Sequence, residues 1–336
     1  MDKIIKLLRK KFLSRSNIYY KLKPIIPRSL QIIFRRIYID LKRNKYKDIW
    51  PIYKEARQAP KSWSRWPNSK QFALVLTHDV ERKRGQEQCL DLMNIEKELG
   101  FRSAYFFVPG MCKNFLPIQQ KLKNNEFEVG IHGLFHDEKL FESRKIFRRK
   151  AVLINHFIST WRVLGFRSPH MHCELTWIHD LNILYDASTF DVDPFEPQPD
   201  GVGTIFPFII KNELSGKSYV ELPYTLPQDF TLFVLMKQKN IDIWKRKLDW
   251  IVENGGMALM ITHPDYMNIK GTELSIDEYP VGYYLDFLCY IKKKYEKQYW
   301  HALPRDIAQF WTERMRNTLD DKNRTFINKF NKSLRW

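Results

Sequence analysis

The chain has 336 residues, 44% apolar and 15% aromatic, enough for a packed core in one large domain or two average ones, so global disorder is excluded. Its net charge of +18 is concentrated, since residues 1–70 hold 20 Lys/Arg against 4 Asp/Glu and the remainder holds 36 against 34. A body that close to neutral is not built to grip nucleic-acid phosphates.

Residues 1–58 alternate cations with Ile, Leu, Phe and Tyr. Ile4, Leu7, Leu8, Lys11 and Phe12 give a rough helical face. A second helix is predicted from Ser29 to Asn44, with Leu30, Ile33, Ile37 and Leu41 on one side and Arg35, Arg36, Lys42 and Arg43 elsewhere. Such a basic amphipathic extension either lies on an anionic membrane surface or packs its apolar stripe on the body and exposes its charges. The start, MDKIIKLLRKKFLSRS, lacks the uninterrupted apolar run of a secretory signal, and no window approaches a membrane span. A cytoplasmic protein is expected, peripheral on the inner membrane face if the extension binds lipid.

Residues 59–70, rich in Pro and Ser, read as a linker. From 71 to 316 short apolar runs alternate with helical patterns. The predicted strands are Phe72–Leu76, Ala104–Val108, Glu128–Ile131, Tyr219–Leu222 and Met257–Ile261. The predicted helices are Glu87–Leu99, Phe115–Asn124, Phe141–Leu164, Leu175–Tyr185, Asp242–Val252 and Val281–Lys297. Alternation of this kind implies a parallel sheet with helical cover, in a number of units that suits an α/β barrel. Residues 317–336 look like a polar, basic tail. Cys89, Cys112, Cys173 and Cys289 are far apart with no C-x-x-C pair, so buried free thiols are expected.

Chemistry-bearing groups cluster where predicted strands end, which is where an α/β barrel keeps its site. The first strand runs into Thr77-His78-Asp79-Val80-Glu81, and in extended backbone Asp79 and Glu81 point to one side. The third runs into Gly130-Ile131-His132-Gly133-Leu134-Phe135-His136. Two imidazoles four apart converge on a metal ion if the turn at Gly133 begins a helix. Phe166-Arg167-Ser168-Pro169-His170 offers one cation, and the last predicted strand ends in Thr262-His263-Pro264-Asp265. Each group has a plain alternative: solvated ion pairs for the acids, a polar loop for the His pair, a surface Arg, a structural His. Asp191-Val192-Asp193-Pro194, in a Pro-rich loop, reads as loop capping.

In this order THDVE at 77–81, GIHGLFH at 130–136, FRSPH at 166–170 and LMITH at 259–263 resemble the motifs of the polysaccharide deacetylase family, the NodB-type carbohydrate esterases of family 4. The resemblance covers roughly residues 70–310. It implies a distorted (β/α) barrel of the NodB homology type, preceded here by the basic helical extension. It further implies a divalent metal, zinc above all, on Glu81, His132 and His136. Asp79 would be the general base, Arg167 its orienting partner and His263 the acid that protonates the leaving amine. His78, Pro169 and His170 become candidate substrate contacts. Two positions depart from the pattern: Glu81 stands where the family usually has Asp, and His170 where it has an aromatic residue. The implied activity is metal-dependent removal of an N-acyl group, acetyl first, from a sugar; with no export signal and a basic leader, a nucleotide-linked or lipid-linked sugar in surface polysaccharide synthesis is expected. The alternatives are a catalytically inactive, glycan-binding barrel, and a deformylase or other hydrolase of linear amides.

Overall fold

A computed structural model describes residues 26–61, 63–112, 115–137, 139–198 and 201–314. The first predicted helical face, at residues 4–12, and the tail at 317–336 lie outside them.

The elements in chain order begin with helix α1 (Arg28–Arg43). There follow β1 (Phe72–Val80), α2 (Lys83–Glu98), β2 (Ala104–Phe107), α3 (Phe115–Asn124), β3 (Glu128–His132), α4 (Arg144–Trp161) and β4 (Gly165–Arg167). Next come α5 (Leu175–Ile178), β5 (Tyr185–Asp186), β6 (Phe208–Lys211), β7 (Ser218–Glu221), a π-helix (Phe230–Leu235), α6 (Asp242–Glu253) and β8 (Met257–Thr262). The short pair β9 (Met267–Asn268) and β10 (Tyr279–Pro280), then α7 (Gly282–Tyr295) and β11 (Tyr299–His301), complete the named elements.

The strands form one curled sheet, parallel except where β6 runs against β7. Nine-residue β1 is its axis, fully buried along its length. Its residues 73–78 pair with β8 on one edge, while the other edge pairs with β11 at the start and β2 at the end. Pairing then proceeds β2, β3, β4, β5, β7. The chain beyond β7 returns to β8, where Leu226 bridges Met260 and the Thr225 and Leu226 amides donate to the Leu259 carbonyl. Curled and closed by single bridges rather than a full ladder, this is a distorted (β/α) barrel. Strands covered on both faces must be apolar throughout, which is why the runs at 72–76 and 257–261 carried so clear a signal.

Boundaries differ most at Leu175–Tyr185. The apolar spacing there suggests eleven helical residues, yet α5 stops at Ile178, because the Leu184 and Tyr185 amides bond to the Leu164 carbonyl and start β5. Sheet pairing outcompetes local propensity. The stretch 59–70 is no free spacer either. Trp66 is buried, donates Nε1–H to the Gly255 carbonyl at 2.9 Å and joins Trp63, Trp300, Phe310 and Trp311 in an aromatic cluster. All four cysteines are unpaired, as expected, but only Cys89 is buried; Cys112 and Cys173 are half-buried and Cys289 is exposed. Among the described residues no helix is long and apolar enough to cross a membrane.

Candidate active site

The strand ends converge at the carboxyl end of the barrel. β1 delivers Asp79, with Glu81 just beyond it, on one side as their spacing requires. His132 closes β3, and Gly133 turns the chain in the left-handed region (φ +68), a conformation glycine adopts without strain. No helix begins there. Residues 134–137 are a bend that nevertheless brings the His132 and His136 rings to a centroid distance of 5.4 Å. Convergence therefore comes from the Gly133 turn, not from helical spacing.

Ligand atoms of Glu81, His132 and His136 lie within 4.8 Å of one another. Glu81 Oε1 is 2.8 Å from His136 Nε2 and 4.0 Å from His132 Nε2. Both Nε2 atoms are buried and lack a hydrogen bond of acceptable geometry, an arrangement that is costly without a further partner. The other nitrogen of His132, Nδ1, is held by the Arg167 carbonyl at 3.2 Å, leaving Nε2 for the site. Burial pushes His132 down to about 4, so its imidazole is neutral and can ligate. Two imidazoles and a carboxylate with open positions fit a divalent cation such as zinc.

Around this trio stand two charge pairs. Arg167 Nη1 donates to Asp79 Oδ1 at 2.7 Å while its Nε donates to the Ala187 carbonyl at 2.9 Å and its guanidinium lies 4.3 Å over the Phe106 ring. Burial opposes ionisation of Asp79, but Arg167, with His132 and His263, outweighs it and holds the carboxyl below its usual range. Asp79 Oδ2 points at His132 Nε2, 3.9 Å away.

The second pair is absent from the sequence reading. Asp229 Oδ1 accepts from His263 Nδ1 at 2.7 Å, and its Oδ2 accepts from the His263 amide and the Tyr279 hydroxyl, each at 2.8 Å. Burial alone would lower His263, yet Asp229, helped by Glu81 and Asp79, raises it to about 10. His263 is therefore a cation at neutral pH, with Nε2 aimed into the site 3.8 Å from Glu81 Oε1. The only hint in the sequence is one acid, Asp229, heading the apolar run Phe230–Met236. Tyr266, also missed, donates to Glu81 Oε2 at 3.0 Å. Glu81 is held well below its usual range: burial opposes its charge, and His136, His263 and His132 overcome it.

His78 does not reach the cleft. It is fully buried, with Nδ1 on Thr262 Oγ1 at 2.7 Å and Nε2 on Glu96 Oε1 at 2.9 Å, and Glu96 also accepts from Ser103, Tyr105 and Tyr284. Neighbours in a strand face opposite ways, so a His beside Asp79 had to point into the wall. Pro169 is buried against Gly133, where a Cβ would come within 2.6 Å of its ring, and the His170 ring lies 4.4 Å from that of His136. His170 thus borders the metal trio. Asp193 caps its own loop through the Phe195 amide at 3.0 Å and accepts from Tyr224 at 3.1 Å.

Neither a protein-family model nor a curated protein sequence matches this chain. Solved structures do. A Mycobacterium smegmatis protein described as a polysaccharide deacetylase aligns over 76% of this chain and 96% of its own, at 15% identity and a TM-score of 0.58. A Pseudomonas aeruginosa PAO1 protein described likewise aligns over 74% and 93%, at 14% identity and a TM-score of 0.56. The chain has the NodB-type polysaccharide deacetylase fold. The solved structure of PuuE allantoinase shares that fold, at 15% identity and a TM-score of 0.57 over 75% of this chain and 94% of its own. At such identities the likeness establishes architecture, and the chemistry must come from the side chains.

Proposed function

We propose that this protein is a metal-dependent amidohydrolase that removes an N-acyl group, acetyl first, from a sugar. The observation that carries the reading is the Glu81–His132–His136 trio standing between an ionised acid, Asp79, and a protonated base, His263. A divalent cation on the trio would supply Lewis acidity to the scissile carbonyl and to water.

The remaining roles belong to the chain. Asp79, kept ionised by Arg167, takes a proton from the attacking water as the C–O bond forms. His263, charged and oriented by Asp229, gives its proton to the nitrogen as the C–N bond breaks, releasing a carboxylate and an amine. Opposed protonation states beside one site are what an acid–base pair at one pH requires. Buried Arg167 and Asp229 keep them opposed.

The resemblance in sequence and two of the structural neighbours favour a sugar substrate; the basic N-terminal extension is what favours one carried by a nucleotide or a lipid. The neighbour named an allantoinase shows that the fold also serves a substrate that is not a polysaccharide, so a small non-sugar amide is the second reading. The test is metal content of the purified chain and of His132→Ala, followed by acid release from N-acetylated amino sugars, N-formylated analogues and allantoin. About one equivalent of metal lost in the variant, with acetate released from a sugar, is expected. An empty site after metal is added back would leave only a glycan-binding role.

A further inference from the structure

Helix α1 has its amphipathicity reversed. The face turned to the body carries four cations, with Ile32 and Ile39 as the buried apolar residues. Arg28 lies 3.4 Å from both Asp277 Oδ2 and the Tyr266 hydroxyl. Arg35 sits 4.9 Å over the Phe230 ring. Arg36 donates to the Val234 carbonyl at 3.0 Å and the Ile276 carbonyl at 2.9 Å, and Lys42 to the Pro194 carbonyl at 3.4 Å. The opposite face presents Leu30, Ile33, Phe34, Ile37, Tyr38 and Leu41, each between 40% and 79% exposed. Their spacing makes one continuous strip roughly 17 Å long at the helical rise. Isolated exposed apolar residues need no explanation, but a strip of six on one face marks an interaction surface.

Charge decides which partner fits it. Of the seven Lys/Arg in residues 28–47 four face the body, which leaves Arg43, Lys45 and Lys47 beside the strip, and residues 1–25 hold eight against one Asp. Folding the leader back onto α1, or pairing α1 with a second copy, would set cation against cation. An anionic bilayer brings opposite charge and apolar depth together. Arg43, Lys45 and Lys47, which end and follow the strip, are exposed and within reach of headgroups. Exposed Leu274 and Ile276, on the loop that Arg36 ties to α1, add apolar surface alongside.

We propose that α1 docks this protein on an anionic lipid surface, apolar strip at the headgroup boundary. Docking there sets the catalytic cleft beside the bilayer, because Arg28 contacts the Tyr266 hydroxyl that holds Glu81. Resting on the amidohydrolase reading, the docked site would take a sugar carried by a lipid rather than by a nucleotide.

The test is co-sedimentation of the full chain with vesicles of phosphatidylcholine alone or with phosphatidylglycerol added. Binding is expected with the anionic vesicles only, weakening as salt rises, and falling by at least about tenfold in Ile33→Asp/Ile37→Asp at an unchanged Tm. No binding to anionic vesicles, or equal binding by the double variant, would overturn the proposal. So would a dimer by light scattering that the double variant dissolves, or protection of Leu30, Ile37 and Leu41 from hydroxyl radicals in the free monomer, as a leader folded over them would give. Acetate release from N-acetylated sugars, both water-soluble and lipid-linked in neutral detergent micelles, without vesicles, tests the active site separately. Docking with no such activity would remove the deacetylase reading and leave the surface assignment standing.

Discussion

Asp229→Asn isolates the charge that keeps His263 protonated. The carboxylate meets the imidazole at 2.7 Å, and the charge centres lie about 4 Å apart. At an effective dielectric near 20 that separation is worth ~4 kcal/mol, or ~3 pH units at 1.36 kcal/mol each. Removing it should carry His263 from about 10 down to ~7. A general acid works only while protonated, so the alkaline limb of the kcat/KM profile should move down by the same ~3 units. The expected loss is ~100-fold at pH 9 and under about threefold at pH 6. A bound cation lowers His263 in both proteins, so the difference between profiles is the quantity to read. Asn also points an N–H₂ at two donors, the His263 amide and the Tyr279 hydroxyl, at about 1–3 kcal/mol each, so Tm must fall and rates belong well below it. If kcat/KM drops equally at every pH, Asp229 merely holds the ring. Full activity at pH 9 would mean His263 is not the proton donor.

His132→Ala should abolish stoichiometric metal binding and cost at least about a hundredfold in turnover, read by elemental analysis and acetate release. Arg167→Lys cannot both reach Asp79 and satisfy the Ala187 carbonyl, so kcat/KM should fall ~10–100-fold. Asp79 works ionised and is lost as pH falls through its pKa; in Arg167→Gln, where the cation is gone, that pKa rises and the acid limb should move to higher pH. An unmoved limb would show that Arg167 does not tune Asp79. Gly130→Ala puts a methyl 2.6 Å from the Phe106 ring on which Arg167 rests, and overpacking of about 1–3 kcal/mol should lower Tm; calorimetry showing no change would contradict that packing.

Much of this was legible because a buried parallel sheet writes apolar runs and a barrel places polar groups just after them. Asp79, Glu81, His132, His136, Arg167 and His263 all follow that grammar. Asp229 does not. It precedes an apolar run that folds as a π-helix, and its bond to His263 spans 34 positions, a pairing no local pattern encodes. His78 misled for the converse reason: adjacency to Asp79 in sequence is opposition in a strand. Helix α1 shows a third limit. Periodicity announces two faces but not which one turns inward, and here carboxylate, carbonyl and aromatic partners on the body drew the cations in.

Glu81 is one methylene longer than the Asp usual at this position in the family it resembles, and the structure shows what the extra length reaches. Its Oε2 accepts from Tyr266 at 3.0 Å and its Oε1 faces His136 at 2.8 Å, while its backbone amide, independent of that length, donates to Asp265 Oδ2 at 2.8 Å. Asp265 is itself pushed up to about 6 by burial and by the Glu81 charge, and amides of Glu81 and Gly85 hold it in place. Asp265 and Tyr266 belong to the same short loop after β8 that supplies His263. That loop therefore positions both Glu81 and His263, the proposed ligand and proton donor, with β1 contributing only the anchor point. An Asp at 81, shorter by ~1.5 Å, could not keep both the Tyr266 bond and the approach to His136. The departure from the family pattern thus comes with its own brace, which argues for a working ligand rather than a vestigial one.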